Sequence, residues 1–256
     1  MKGFKFLAVG LLLAWSMSTQ AAPVQEKIYV VGADVDSHGH ITATQVDADV
    51  PAKLASVLAS AVQQWQFMPA TRNGQPSPAH TFVRARLQAA PTAGGQYTVT
   101  VNYIGNGPKF HKGNVAPEYP RDEARAGRQA FVMLDATVQP GGSLADLTAR
   151  SRFKDWPLNP AFGRAVVEAA RNWHATPEQV DGQPVATHMR VPVTFTLKNS
   201  RFNREQTRIL RDAALGERSI ADSGNKQSAA PFPMDQPVAL DSPLQPRNVT
   251  TTGNAQ

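Results

Sequence analysis

The sequence predicts an α+β protein made of two copies of one small module, followed by a disordered C-terminal tail. Each copy reads as an antiparallel sheet of three or four strands with one amphipathic helix packed on it. That reading rests on three features. Two stretches share the residues Trp, Pro, Gly, Gln and Pro at a constant offset of 108. An apolar stripe at helical spacing precedes each tryptophan. Upstream of each stripe, a glycine turn separates two strand-like runs.

The first residues stand apart from this plan. Lys2 and Lys5 precede an apolar run over 6–15, and Thr19-Gln20-Ala21 follows with small residues at the two cleavage positions. This is the pattern of a secretory signal peptide over 1–22. The run is shorter than the roughly 20 residues a spanning helix needs, and no later segment could span. Without Lys2 and Lys5 the formal charge falls from +6 to +4. Basic residues are scattered, so no nucleic-acid footprint is expected. The absence of cysteine excludes thiol catalysis and disulfides, so packing alone must hold an exported fold.

The first module is expected over 23–106. It opens with a strand over 28–35, a turn at Ser37-His38-Gly39 and a return strand from Ile41. Pro51 starts a helix whose face carries Leu54, Leu58, Ala61 and Trp65. Pro69, Gly74 and Pro76 mark a turn before a strand over 80–87. Tyr97, Val99, Val101 and Tyr103 alternate with polar residues, which predicts a fourth strand over 96–104. A linker is expected over 107–112.

The second module is expected over 113–198. Pro117, Tyr119 and Pro120 lead into a short helix with Ala124, closed by Gly127. A hairpin follows, with a strand over 131–138 and a turn at Gly141-Gly142. Asn159 caps a helix that starts at Pro160 and carries Phe162, Val166, Ala169 and Trp173 on one face. Pro177, Gly182 and Pro184 repeat the earlier turn, and the last strand runs over 187–197. The hairpins match at an offset of 103, so the second copy holds extra residues in the loop over 151–159.

From 199 the pattern changes. Phe202, Ile209 and Leu210 among arginines suggest one exposed helix over 199–218. Residues 219–256 are rich in Ser, Pro, Gln, Asn and Thr and are expected to be disordered. Asn248-Val249-Thr250 fits a glycosylation acceptor, a motif of low specificity.

No constellation for chemistry stands out. His38 and His40 lie in a turn without a companion ligand set, so solvent exposure is expected rather than a metal. His174 and His188 are expected as a surface pair. Asp34, Asp36, Asp47 and Asp49 read as wet strand faces. Trp65 and Trp173 read as core anchors, and Tyr119 as a staple. No enzyme activity and no cofactor are expected.

The second copy resembles the TonB C-terminal domain family. The resemblance lies in Pro117-x-Tyr119-Pro120, Ala124, Gly127, Gly141-Gly142, the helix to Trp173, Pro177, Asp181-Gly182-Gln183-Pro184 and the strand Val191-Pro192-Val193-Thr194-Phe195. The first copy shares the later half through Trp65, Pro69, Gly74 and Pro76. The resemblance implies a periplasmic, non-enzymatic protein that grips a protein or extended peptide by adding it to a sheet edge, as with an outer-membrane transporter. The last strand is the implied edge, with Thr187, Met189, Val191, Val193 and Phe195 as implied partner-binding residues. A homodimer or envelope assembly through the same edge is the alternative. The family's spacer rich in Pro-Glu and Pro-Lys is not found in this sequence.

Overall fold

The computed structural model of the protein describes residues 25–91, 97–153, 155–197 and 236–253. The expected signal peptide and the helix expected over 199–218 lie outside them. In the first half β1 (Gln25–Val35), β2 (Ile41–Val46) and α1 (Ala52–Val62) come first. Three short strands follow, β3 (Gln66–Met68), β4 (Ala70–Arg72) and β5 (Gln75–Ser77), then the long pair β6 (Ala79–Pro91) and β7 (Tyr97–Gly107). The connection contains β8 (Lys109–Phe110). The second half has α2 (Arg121–Arg125), β9 (Ala130–Val138), β10 (Leu144–Ser151), α3 (Pro160–Ala170), β11 (Ala175–Thr176), β12 (Gln179–Val180), β13 (Gln183–Pro184) and β14 (Thr187–Phe195). The tail adds β15 (Val238–Ala239), β16 (Gln245–Asn248) and β17 (Thr250–Gly253).

The described chain is mostly antiparallel strands. One sheet runs β2-β1-β6-β7, and α1 buries Leu58, Ala61 and Val62 against it with Val31, Val83, Ala85 and Val101. The second runs β10-β9-β14, with Phe162, Val166 and Ala170 of α3 against Leu134, Met189 and Val191. The Asn159 side chain accepts a hydrogen bond from the Ala161 N–H at 2.9 Å, capping α3 ahead of its proline. Both helices stop before their tryptophans. Trp65 and Trp173 follow a turn, with N–H groups donating to Val62 and Ala170 carbonyls. The apolar spacing therefore continues past the last helical residue.

Three expectations change. The first sheet has seven strands, because β12 and β13 of the second half pair beside the start of β6, and β17 of the tail pairs with β7. The tail is not wholly disordered. Its residues 236–253 run along both sheets, with β15 on β14, β16 on β3 and β17 on β7. Sheet edges present unpaired backbone groups that bind any extended segment. This explains how a polar stretch with few apolar side chains becomes ordered. The expected linker is also paired, since β8 bonds to β11.

Both hairpin turns reach into the segment after their helix in the same way. The Phe67 N–H donates to the Gly39 carbonyl, and the Ala175 N–H to the Gly142 carbonyl, each at 2.9 Å. Both glycines have positive φ, +87° and +86°. A Cβ at Gly39 would lie 1.9 Å from the Phe67 carbonyl oxygen, and one at Gly142 would lie 2.6 Å from that of Ala175. Gly39→Ala and Gly142→Ala are each expected to cost about 2 kcal/mol or more in urea unfolding. Gly141→Ala, with open space around it, should stay within about 0.5 kcal/mol of wild type.

Candidate partner-binding edge

β14 is paired with β9 along its whole length, from Thr187 opposite Val138 to Phe195 opposite Ala130. In an antiparallel ladder the N–H and C=O of one residue face the same neighbour, and the direction alternates. His188 fixes the phase here. Its N–H donates to Asp241 Oδ1 at 2.7 Å, and its carbonyl accepts from the Leu240 N–H at 2.8 Å. His188, Arg190, Pro192 and Thr194 therefore turn their backbone groups outward. Thr187, Met189, Val191 and Phe195 are buried, and Val193 is half-buried, on the face that packs on α3. Those five side chains anchor the strand in its core. What the edge offers a partner is the backbone of the residues between them.

Part of that edge is already taken. Ala239 lies opposite Met189 and Val238 opposite Arg190. Residues 191–195 have no strand on their outer side among the described residues. Within that stretch Pro192 lacks an N–H, which leaves Thr194 as the outward donor. The β15 seat is narrow. Gly107 ends β7 beneath it, and a Cβ there would lie 2.7 Å from the Ala239 Cβ. The His188 imidazole also hydrogen-bonds to Asp241, which raises its pKa above the ordinary value. On the open face of the sheet, Asp135 accepts hydrogen bonds from Arg190 at 2.7 Å and Arg150 at 2.9 Å. Burial pushes the Asp135 carboxyl up, but these two arginines outweigh it and hold it below the usual range.

Behind the edge lies a buried polar cluster that joins both halves and the tail. Glu178 is fully buried. Its carboxylate accepts hydrogen bonds from the hydroxyls of Thr81 at 2.6 Å, Ser242 at 2.7 Å and Thr187 at 3.1 Å. Asn106 Nδ2 donates to Ser242 Oγ at 2.7 Å and to the Leu244 carbonyl at 3.2 Å. Nearby Arg84 is 4% exposed, and burial pushes its guanidinium down to about 10. The sequence offered no signal for Glu178, Asp241, Ser242 or Leu244, since each looks like any other residue of a polar loop or tail.

The other residues singled out in the sequence are structural in their surroundings. Tyr119 donates its hydroxyl to the Arg128 carbonyl at 2.6 Å, and its ring meets Phe162 and Phe195 edge-on. This pins the lead-in segment of Pro117 and Pro120 over the end of β14. Ala124 lies within α2, and Gly127, with φ +64°, closes it. Trp173 donates its indole N–H to the Val115 carbonyl at 2.7 Å, and Trp65 packs edge-on against Tyr103. Gly74 and Gly182 form matching tight turns at φ +77° and +70°, beside Pro76 and Pro184. Pro69 and Pro177 flank the same short strands. His38 and His40 are exposed, their N–H groups donating to Asp36. His174 stacks on His111 while His188 pairs with Asp241, so the expected surface pair does not form. Among the described residues there is no cluster of metal-ligating groups and no helix long and apolar enough to cross a membrane.

The family profile described as the Gram-negative bacterial TonB protein C-terminal matches residues 115–197. Residues 115–197 form a TonB C-terminal domain. Curated relatives match part of the chain as well. Protein TonB of Xanthomonas campestris pv. campestris (strain B100) is 35% identical over 81 residues, 32% of this chain and 34% of that one. Protein TonB of Vibrio cholerae serotype O1 is 25% identical over 108 residues, 42% of this chain and 43% of that one. The chain thus spans between a third and a half of the length of these relatives. No solved structure matches. In the TonB C-terminal domain of this chain, β14 is the last strand and Tyr119 braces its end.

Burial raises the folded-state pKa of Glu178, against smaller lowering effects from Thr81, Ser242 and Thr187. The folded state therefore holds the Glu178 proton more tightly than the unfolded chain does. Its contribution is most favourable below its unfolded value and is lost as pH rises through the raised folded value. Glu178→Gln keeps an acceptor for Thr81 and Ser242 and offers Thr187 a donor. Its stability relative to wild type is expected to increase from pH 4 to pH 8 in chemical unfolding curves. A difference independent of pH would contradict this assignment.

Proposed function

We propose that the protein is an exported TonB-like, non-enzymatic protein of the periplasm that binds an extended protein segment along the outer edge of β14, in the service of envelope transport. The carrying observation is that edge, an antiparallel strand of a TonB C-terminal domain whose outward backbone groups are filled in part by a two-residue strand of the tail, Val238–Ala239. Strand addition takes affinity from backbone hydrogen bonds and selectivity from side-chain seats. We read the first half as a degenerate copy of the same module. The matching glycine turns support this, as do the bridges His40 to Gln66 and Ser143 to His174 at corresponding positions. It lacks the Tyr119-Pro120 lead-in, and its own outer strand β7 is covered by β17.

A second reading, self-association through the same edge, has one observation in its favour. The edge accepts a strand of this chain, and the same strand from another copy could bind there. Titration of the full chain with peptides from the periplasmic segments of outer-membrane transporters, alongside sedimentation, tests both. Binding is expected, with the chain remaining monomeric. Dimers without peptide binding would favour self-association, and neither would leave the edge reading without support. Thr194→Pro deletes one outward N–H and is expected to weaken peptide binding about three- to tenfold while the fold stays intact. Val193→Pro instead removes a donor facing β9 and should disrupt the sheet itself.

A further inference from the structure

We infer that residues 238–241 are a resident stand-in for the partner's strand, and that their seat defines the partner as an extended segment reading apolar, small, any, acidic. This rests on the reading of β14 as the partner edge.

The best stretch of the edge is the one the tail occupies. His188 and Arg190 present consecutive outward backbone sites with both donor and acceptor. Val238 lies opposite Arg190, while Leu240 and Asp241 bond to the His188 carbonyl and N–H. Further along, Pro192 interrupts the row of donors. A partner confined to residues 191–195 would find one outward N–H, at Thr194. A partner needing more must displace Val238 and Ala239.

The seat also restricts side chains. Ala239 lies so close to Gly107 that even a methyl group on that glycine would be 2.7 Å from the alanine Cβ. The sulfur of Met189 lies 3.7 Å from the same point. This position takes a small residue. Two places on, Asp241 accepts from the His188 backbone and also meets its imidazole, so this position takes a carboxylate. Leu240 between them is 43% exposed and unconstrained. Val238 is half-buried and apolar.

The stand-in is built to leave. β15 has two paired residues, whereas the firm anchors of the tail lie downstream. Ser242 bonds to Glu178, and Leu244 is 1% exposed in the first core. Residues 238–241 can peel away while 242–244 stay fixed. A tether this short keeps the strand at an effective concentration of about millimolar or higher, so a free segment must outcompete it.

The test uses the full chain and its Ala239→Phe variant, whose ring cannot fit against Gly107. Amide exchange is followed by NMR at His188 and Arg190, which face the tail, and at Val191 and Val193, which face β9. The probes are a free peptide of residues 236–242 and a foreign transporter segment with the same apolar-small-any-acidic pattern. In the variant, exchange at His188 and Arg190 is expected to rise about tenfold or more, with Val191 and Val193 unchanged. Both peptides should bind the variant about tenfold or more tightly than wild type. A peptide with phenylalanine at the alanine position should not bind. Unchanged exchange at His188 and Arg190 in a folded variant overturns the inference. Equal affinity of the foreign segment for both chains also overturns it, while leaving the edge reading intact. If the 236–242 peptide binds the variant and the foreign segment binds neither chain, the edge reading itself fails.

Discussion

Glu178 has no exposed atom to share with water, and three hydroxyls from three separate parts of the chain surround its carboxylate. Thr81 belongs to the first sheet, Thr187 begins the last strand of the second, and Ser242 belongs to the tail. A buried carboxylate is tolerable only when its lone pairs are satisfied. The three segments must therefore arrive together, or none can be placed. This condition fixes where β12 meets β6 and where the tail crosses between the halves. It also sets the starting point of β14, since Thr187 is that strand's first residue.

The remaining architecture is an exercise in covering sheet edges. β17 lies on β7, β15 on part of β14, and β13 beyond β12. Much of this covering comes from a segment with few large apolar side chains. Leu244 sits deep among the residues of the first core, where Val249 also packs, while Val238 is half-buried and Leu240 exposed. Backbone pairing carries most of the rest, so the ordering of the tail depends on the edges it meets.

That division explains what could be read from the sequence. The hairpins, the helix stripes and the Gly-Gln-Pro turns are local patterns with fixed periods, and they appear where expected. The stripe of α3 even located Trp173, although the residue follows the helix rather than completing it. The ordered part of the tail could not be read, because strand addition to an edge uses main-chain groups that every residue carries. Val238 and Ala239 have no strand period of their own. Glu178 was invisible for another reason. Its burial is created by segments 97 and 64 positions away, Thr81 and Ser242. The edge was implied by the resemblance, but its polarity was not. The bonds of the His188 N–H to Asp241 and of the Leu240 N–H to the His188 carbonyl show which alternate residues face out.

Pro192 has a consequence for the protein as a population of molecules. An exposed strand with every donor in place is a template on which further copies can stack without limit, the first step towards fibres. A chain held only by packing, with no disulfide in reserve, is vulnerable to such growth when concentrated. Here the gap in the donor row falls just past the covered stretch. Any added strand meets it after a few residues and must bulge or stop. One imino acid in the middle of β14 thus keeps a sticky edge from becoming a polymerising one.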